Sequence, residues 1–464
     1  MQNKNKIGIY GLGAMGRNIA LNIADKGFLV SVYNRNIEGE FHIVEDFLST
    51  EAPSNVQGFN NVKEFVLSLE QPRKVLIMIT SGSAVDEAIC QIMPYMDSND
   101  IIIDGGNSNY LDTKVRVEKY DVRYLGCGIS GGWYGALNGP SMMIGGSNSA
   151  WNETRYLFQL IASKRNNQSS CCHWFGENGA GHFIKMIHNG IEYAMMQSIA
   201  ESYDVLRKIA SMSNNDISSV FEEWNNKELN SYLMKVSSEV LLIKDKSGCL
   251  IDNVIDRSSQ KGTGIDFAIC ALKYGVPAPT IIESINARFV SSSEYRINTF
   301  SMNSYKEAHQ SPNVLLEVLF DSVYCSYVIA FFQGMDLVQK VSDDQSWNID
   351  LMDVAAVWEE GCIIKSEIFK DLAKYLESKL SVQMLLEKLT KSKVENLSKA
   401  IGIGMENGVP MPVFSSSLNY YYSTCSNKLP ANLIQLQREY FGSHGFEKIE
   451  APGRICHFGV DLDI

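Results

Sequence analysis

The amino-acid sequence predicts an α/β domain followed by an all-α domain and a C-terminal tail. Three observations predict it. Strand-like and helix-like segments alternate over residues 1–130, the pattern of a doubly wound sheet. Helical spacing with few strand signals then runs from Gly179 to about Leu433. At 464 residues the chain also exceeds the size at which a single core stops growing, about 250–300 residues. The expected division is 1–178 for the α/β domain, 179–432 for the helical domain and 433–464 for the tail.

The elements follow in order. "KIGIYGLG" reads as a strand and a turn, and "MGRNIALNIADKG" as a helix that ends at Gly27. "FLVSVYN" is a second strand. "KVLIMIT" and "DIIIDGG" are continuous apolar runs bounded by turn signals, which suits parallel strands covered on both faces. "AESYDVLRKIA", "SYLMKVSSEVLLI", "PTIIESINARFVSS" and "NVLLEVLFDSVYCSYVIAFFQGMDLV" carry helical spacing. The last is apolar on most sides and should lie at the centre of its domain. From Pro430 the chain begins helical and then becomes an irregular tail punctuated by Gly442, Gly445 and Gly453.

Composition narrows the function. With 45% hydrophobic and 20% charged residues and no low-complexity tract, the chain reads as an ordinary globular protein. Its 41 Lys and Arg against 53 Asp and Glu give a net charge of −12, which argues against nonspecific nucleic-acid binding. No uninterrupted apolar run reaches the roughly 18 residues of a membrane span, and the N-terminus shows no signal-peptide pattern. The ten cysteines are scattered except for Cys171–Cys172, and no C-x-x-C pair occurs. Free thiols in a cytoplasmic protein are therefore expected, with no metal site.

"GLGAMG" carries Gly11, Gly13 and Gly16 around Ala14 and Met15, directly after a strand and at the start of a helix. The first glycine allows the tight turn, the second close approach of a pyrophosphate, and the third helix–strand packing. Phosphates then meet the free N–H groups of the helix N-terminus. This is the Rossmann-type context for a dinucleotide. The second strand ends in Asn34-Arg35-Asn36, without the carboxylate that an NAD site places on the ribose hydroxyl. Arg35 suits a 2′-phosphate, so NADP is expected. Two later strand ends present Asn107 in "IIIDGGNS" and Ser130, Gly131 and Gly132 in "GCGISGGWYGA". The second can offer a hydroxyl and backbone N–H groups to an anion.

In "KMIHNGIEY", Lys185, His188, Asn189 and Glu192 stand at offsets 0, 3, 4 and 7, so a helix stacks them on one stripe. Ile184, Ile187, Ile191 and Met195 form a separate apolar stripe that packs inward. The polar groups converge on something.

Taken together, "GLGAMG", "NRN", "IIIDGGNS", "GISGG", "GAGHFIKMIHNGIEY", "QKGTG", "PMPVFSSSL" and "LIQLQREYFGSHGFE" resemble the 6-phosphogluconate dehydrogenase family, from Ile7 to about Cys456. The resemblance implies a Rossmann-type domain, a helical domain and a tail that reaches the second subunit of a homodimer. It implies oxidation of 6-phosphogluconate at C3, loss of CO2 and protonation of the enediol to ribulose 5-phosphate. In that scheme Lys185 acts as base and then acid, Glu192 protonates C1, and Asn189 and His188 hold hydroxyls and orient the base. Asn107, Ser130, Gly131 and Gly132 would touch substrate, and Asn107 the cofactor too. Tyr193, Lys261, Thr263 and Arg288 match phosphate-binding positions, and Arg438 and His444 match residues given by the partner subunit.

The sequence departs from the family pattern at several points. Trp133 stands where glutamate is usual, Thr80-Ser81 replace Lys-Ala, Asn36 replaces threonine, and Glu359-Glu360 replace a basic residue and glycine. Two other readings are open: a β-hydroxyacid dehydrogenase of an unphosphorylated acid, and a non-catalytic paralogue that binds NADPH or a sugar phosphate. Length and the phosphate-matching cations argue against the β-hydroxyacid dehydrogenase, and the retained Lys185, Glu192, Lys261, Arg288, Arg438 and His444 argue against the paralogue.

Overall fold

The structure, a computed structural model, describes residues 4–35, 39–298, 312–376 and 382–459. The chain forms two compact units, Met1–Ser417 and Leu418–Ile464. The first holds both the sheet and most of the helices.

Eight strands build the sheet: β1 (Ile7–Tyr10), β2 (Val30–Tyr33), β3 (Val56–Phe59), β4 (Lys74–Ile77), β5 (Ile101–Asp104), β6 (Arg123–Ser130), β7 (Ser141–Gly146) and β8 (Cys172–Trp174). Their order is β3-β2-β1-β4-β5-β6-β7-β8. All neighbours pair in parallel except β6 and β7, which are antiparallel with Leu125 opposite Gly146 and Ser130 opposite Ser141. The chain runs outward from β1 to β3 and then returns to place β4 on the other side of β1. That reversal is the switch point at which open α/β sheets bind ligands.

The apolar runs predicted as strands are buried on both faces. Ile9, Leu76, Ile101 and Ile103 join one core, and Tyr10, Val75, Ile77 and Ile102 the other. Alternate side chains of a strand point to opposite faces, which divides each run between the two cores. The glycine turn leads from β1 into α1 (Ala14–Asp25), and the chain leaves that helix through Gly27 at φ +84°.

The helical region starts with α2 (Ala180–Lys208) and, beyond the helices Asn214–Asn225 and Tyr232–Val240, includes α3 (Thr263–Tyr274), α4 (Pro279–Ser292) and α5 (Pro312–Gln345). The N-terminal part of α2 lies directly on β6 and β7, and glycines make this possible. A Cβ at Gly181 would sit 2.5 Å from the Gly145 nitrogen and 2.6 Å from the Gly126 carbonyl oxygen. On the opposite side Gly334 of α5 admits Ile191 of α2, with 2.7 Å to a Cβ at that glycine. Ile184, Ile187, Ile191 and Met195 are fully buried, as the apolar stripe requires.

Among the described residues, one helix, Asn313–Gln345, is by length and composition apolar enough to cross a membrane. Tyr327, Val328, Ile329, Ala330 and Phe331 at its centre are fully buried within the protein, so its apolar surface serves the core of the helical region.

The second unit contains α6 (Ala431–Gly442) and a hairpin of β9 (Phe446–Lys448) and β10 (Ala451–Cys456). The tail expected to be irregular is thus an antiparallel ribbon, with Phe446 opposite Cys456 and a register shift at Glu447/Lys448. Pro452 and Gly453 hide it in the sequence, because both punctuate a strand pattern. Buried Glu439 ties the ribbon to α6. Its carboxylate accepts the N–H of Gly445 at 2.6 Å and of Phe458 at 2.9 Å.

Candidate active site

The polar stripe of α2 lies against the carboxyl end of β6, with Glu192 partly buried at its far end. Lys185 is 6% exposed and His188 fully buried. Lys185 Nζ donates to Asn189 Oδ1 at 2.7 Å, and Asn189 Nδ2 donates to Thr263 Oγ1 at 3.1 Å. His188 bridges two elements: Nδ1 lies 3.2 Å from Asn189 Oδ1, and Nε2 lies 2.9 Å from Ser130 Oγ. Ser130 Oγ also accepts the Ile363 N–H at 3.3 Å. Lys185 Nζ approaches His188 Nδ1 at 3.4 Å. Glu192 Oε2 is 3.6 Å from that nitrogen. Lys185, His188, Asn189 and Glu192 therefore come together as the helical spacing predicts, joined by Ser130 and Thr263.

Burial sets the electrostatics. It lowers the Lys185 amine below the ordinary lysine range, opposed by the Glu192 charge. It drives His188 well below its ordinary value, helped by neighbouring Lys185. It raises the Glu192 carboxyl, against the pull of Lys185 and Arg288. Burial thus shifts the amine and the carboxyl each toward its uncharged form.

Ser130 ends β6, and Gly131 turns the chain at φ +112° into the short helix Gly132–Asn138. Gly131 has no room for a side chain, since a Cβ would lie 2.5 Å from the Gly361 carbonyl oxygen. Arg288 on α4 stacks over the Tyr193 ring at 3.9 Å and donates to Ser258 Oγ and the Ser259 carbonyl, each at 3.0 Å. Thr263 begins α3 and is buried, while Lys261 just before it is exposed. Tyr193, Thr263 and Arg288 thus border the same end of the stripe. Arg438 and His444 belong to the second unit, where both are exposed; Arg438 donates to Gln435 Oε1 at 3.1 Å.

At the glycine turn, Gly11 adopts φ +103°, and a Cβ on Gly16 would collide with the Gly11 carbonyl. A Cβ on Gly13 would meet nothing within 4 Å, which leaves open space before the helix N-terminus, flanked by Ala14 and Met15. This cradle fits a pyrophosphate. Asn34 is buried, and its Oδ1 accepts the Leu12 N–H at 3.0 Å, which couples the tip of β2 to the turn. Arg35 is more than half exposed and pairs with Glu40. Asn36 lies outside the described residues. Asn107 is exposed on the loop after β5.

Several organising residues escaped sequence reasoning. Asp104, fully buried at the end of β5, accepts from Gly106 N at 3.0 Å, Ser108 Oγ at 2.6 Å and Tyr124 OH at 3.2 Å. Arg116 approaches it at 3.4 Å and pairs with Asp86 at 2.8 Å. This network fixes the loop that carries Asn107. His182, one turn before Lys185, contacts Thr113 Oγ1 at 2.7 Å and the Asp104 carbonyl at 3.1 Å. A lone aspartate ending a strand gives no signal in a sequence. Among the departures, Trp133 is 63% exposed beside Tyr134. Glu359 pairs with Arg165, and Glu360 pairs with Lys365 at 2.6 Å and Lys370 at 3.3 Å, so this chain supplies its own cations for both. Among the described residues no group of three or more His, Cys, Asp or Glu is placed to hold a metal.

Residues 6–176 match the family model described as the NAD binding domain of 6-phosphogluconate dehydrogenase, and residues 181–459 match its C-terminal domain. The chain is 40% identical over 460 residues to decarboxylating 6-phosphogluconate dehydrogenase of Staphylococcus aureus, covering 97% of each chain. Identity to the enzyme of the same name from Staphylococcus epidermidis is also 40%, again over 97% of each. It is similar to the structure of Plasmodium falciparum 6-phosphogluconate dehydrogenase, solved in apo form, with NADP+ and with 6-phosphogluconate. The TM-score is 0.89 at 34% identity, over 97% of this chain and 99% of that one. With a dinucleotide cradle in the first matching region and the lysine–glutamate stripe in the second, the two family models and these relatives show that the chain belongs to the family of decarboxylating 6-phosphogluconate dehydrogenases.

Proposed function

We propose that this chain performs the reaction of its family with the buried α2 stripe: 6-phosphogluconate and NADP are converted to ribulose 5-phosphate, CO2 and NADPH. The observation that carries it is the desolvated Lys185 amine, fixed by Asn189 on the same helix stripe as Glu192. NADP, when bound, accepts hydride from C3. Lys185 takes the proton of the C3 hydroxyl as that hydride departs, and burial, by lowering the amine below the ordinary lysine range, favours the free base that this step needs. As CO2 leaves, the same group, now an ammonium, faces the developing enolate and stabilises its charge. Glu192 keeps its proton to higher pH than an ordinary glutamate and delivers it to C1. Neutral His188, held between Ser130 and Asn189, orients the stripe and adds no competing positive charge.

Residues 1–178 bind the cofactor through Gly11, Gly13, Ala14, Met15, Gly16, Asn34, Arg35, Asn36 and Asn107. Asn107, Ser130, Gly131 and Gly132 hold the sugar acid. Tyr193, Lys261, Thr263 and Arg288 receive its phosphate; Arg and Lys suit that group by charge and donor geometry. The working form is a homodimer in the cytoplasm, with Arg438 and His444 completing the partner's site. The exposure of Leu433, Ile434, Tyr440, Phe441 and Ile449 in the second unit supports this, because apolar surface of that extent is normally covered by a partner.

The test offers 6-phosphogluconate and 3-hydroxyisobutyrate with NADP, following cofactor absorbance and CO2. Release of CO2 from the phosphorylated substrate alone is expected. Preference for the unphosphorylated acid, or tight ligand binding with no turnover, would overturn the assignment. Lys185→Met should abolish turnover while NADP still binds; near-normal rates would remove the lysine from its role.

A further inference from the structure

The tip of β2 holds a carboxylate that its own sequence does not show. Glu40 lies five residues beyond Arg35, yet its side chain returns to the tip. Glu40 Oε1 accepts from Arg35 Nη2 at 2.7 Å, and Oε2 accepts from Arg35 Nε at 3.1 Å and from Asn34 Nδ2 at 2.9 Å. This is a two-pronged pair of a guanidinium with a carboxylate, latched by a third donor. Asn34 is in turn bonded to the Leu12 N–H, so the carboxylate is anchored through the residue that joins the tip to the glycine turn.

The arrangement bears on cofactor choice. A 2′-phosphate needs the same Arg35 N–H groups that Glu40 now occupies, and it brings negative charge up to a carboxylate. The ribose 2′-hydroxyl of NAD brings a donor instead, and a carboxylate at the end of the second strand is the usual acceptor for it. We infer that Glu40 is a specificity-determining residue that holds back NADP and favours NAD, taking Arg35 as the 2′-phosphate contact proposed above. The chain then uses both cofactors more evenly than Arg35 alone would dictate. Binding of NADP proceeds by exchange, with the guanidinium turning from Glu40 to the phosphate.

Steady-state kinetics of the full chain with each cofactor provide the test, using wild type, Glu40→Gln and Arg35→Ala. Glutamine keeps the shape and the bond to Asn34 but gives up the charge. Its Michaelis constant for NADP should fall about fivefold, the size of an exposed ion pair, while that for NAD does not fall. The shift in the NADP-to-NAD ratio should shrink in high salt, because the pair is exposed. Arg35→Ala should raise the constant for NADP far more than for NAD. Equal effects of Arg35→Ala on both cofactors would remove the Arg35 contact and the role of Glu40 with it. A selective Arg35→Ala effect with an unmoved ratio in Glu40→Gln would remove Glu40 alone. A purely structural Glu40 would shift both constants together, which also overturns the inference.

Discussion

Gly128 in β6 and Lys185 in α2 meet so closely that a Cβ on the glycine would collide with Lys185 Cβ and stand 2.9 Å from Lys185 Cγ. The base of the lysine side chain is thereby set by the strand beneath it. Gly128→Ala should push α2 off the sheet or tilt Lys185 away from Asn189. Overpacking of this kind costs about 1–3 kcal/mol, and kcat should fall by more than tenfold. Denaturant unfolding and kcat are the measurements; an alanine variant with unchanged values would show that the contact does not position the lysine.

Asn189 has its carbonyl committed to Lys185 and its amide to Thr263. Thr263→Val should leave that buried N–H without an acceptor, at a cost of about 1–3 kcal/mol. Loosening of Asn189 should lower kcat as well as stability. Thr263→Ser keeps the hydroxyl and should restore most of both. If valine and serine behave alike, the bond has no part in orienting the stripe.

Arg288→Lys should raise KM for the phosphorylated substrate about tenfold and move kcat less. Lysine keeps the charge but loses the flat stack on Tyr193 and the planar guanidinium whose Nη1 reaches both Ser258 and Ser259. Inhibition by inorganic phosphate should weaken in parallel. An unchanged KM would place the phosphate elsewhere.

Glu201, fully enclosed on α2, accepts the N–H groups of Val413 at 2.8 Å and Phe414 at 3.0 Å. Burial outweighs these bonds and pushes its carboxyl up to about 8. The folded state therefore holds this proton more tightly than the unfolded chain, whose glutamates titrate near 4.3. The stability it contributes is full below that unfolded value and is lost as pH rises through about 8. Wild type should lose more stability than Glu201→Gln between pH 5 and pH 9, because the amide does not titrate. Parallel pH curves for the two proteins in denaturant unfolding would refute the shift.

The fold was legible where patterns are local. "KIGIYGLG", "FLVSVYN", "KVLIMIT" and "DIIIDGG" became β1, β2, β4 and β5, and "PTIIESINARFVSS" became α4. β7 and β8 went unread because "SMMIGG" and "CHW" are short and carry no alternation. The tail ribbon was hidden by Pro452 and Gly453. The helical offsets of Lys185, His188, Asn189 and Glu192 placed them together correctly, since that geometry depends on one helix alone.

Ser130 meeting His188, Thr263 meeting Asn189 and Glu40 returning to Arg35 were beyond local pattern, for each joins elements whose mutual placement is set by packing. By itself the sequence determined the doubly wound domain, the glycine turn and one face of polar residues on a helix, because these follow from backbone periodicity and the steric freedom of glycine. Only the tertiary structure decided that this face would be buried on β6 and that its amine would lose its water. Desolvation is a property of everything packed around a group, and no neighbour along the chain reveals it.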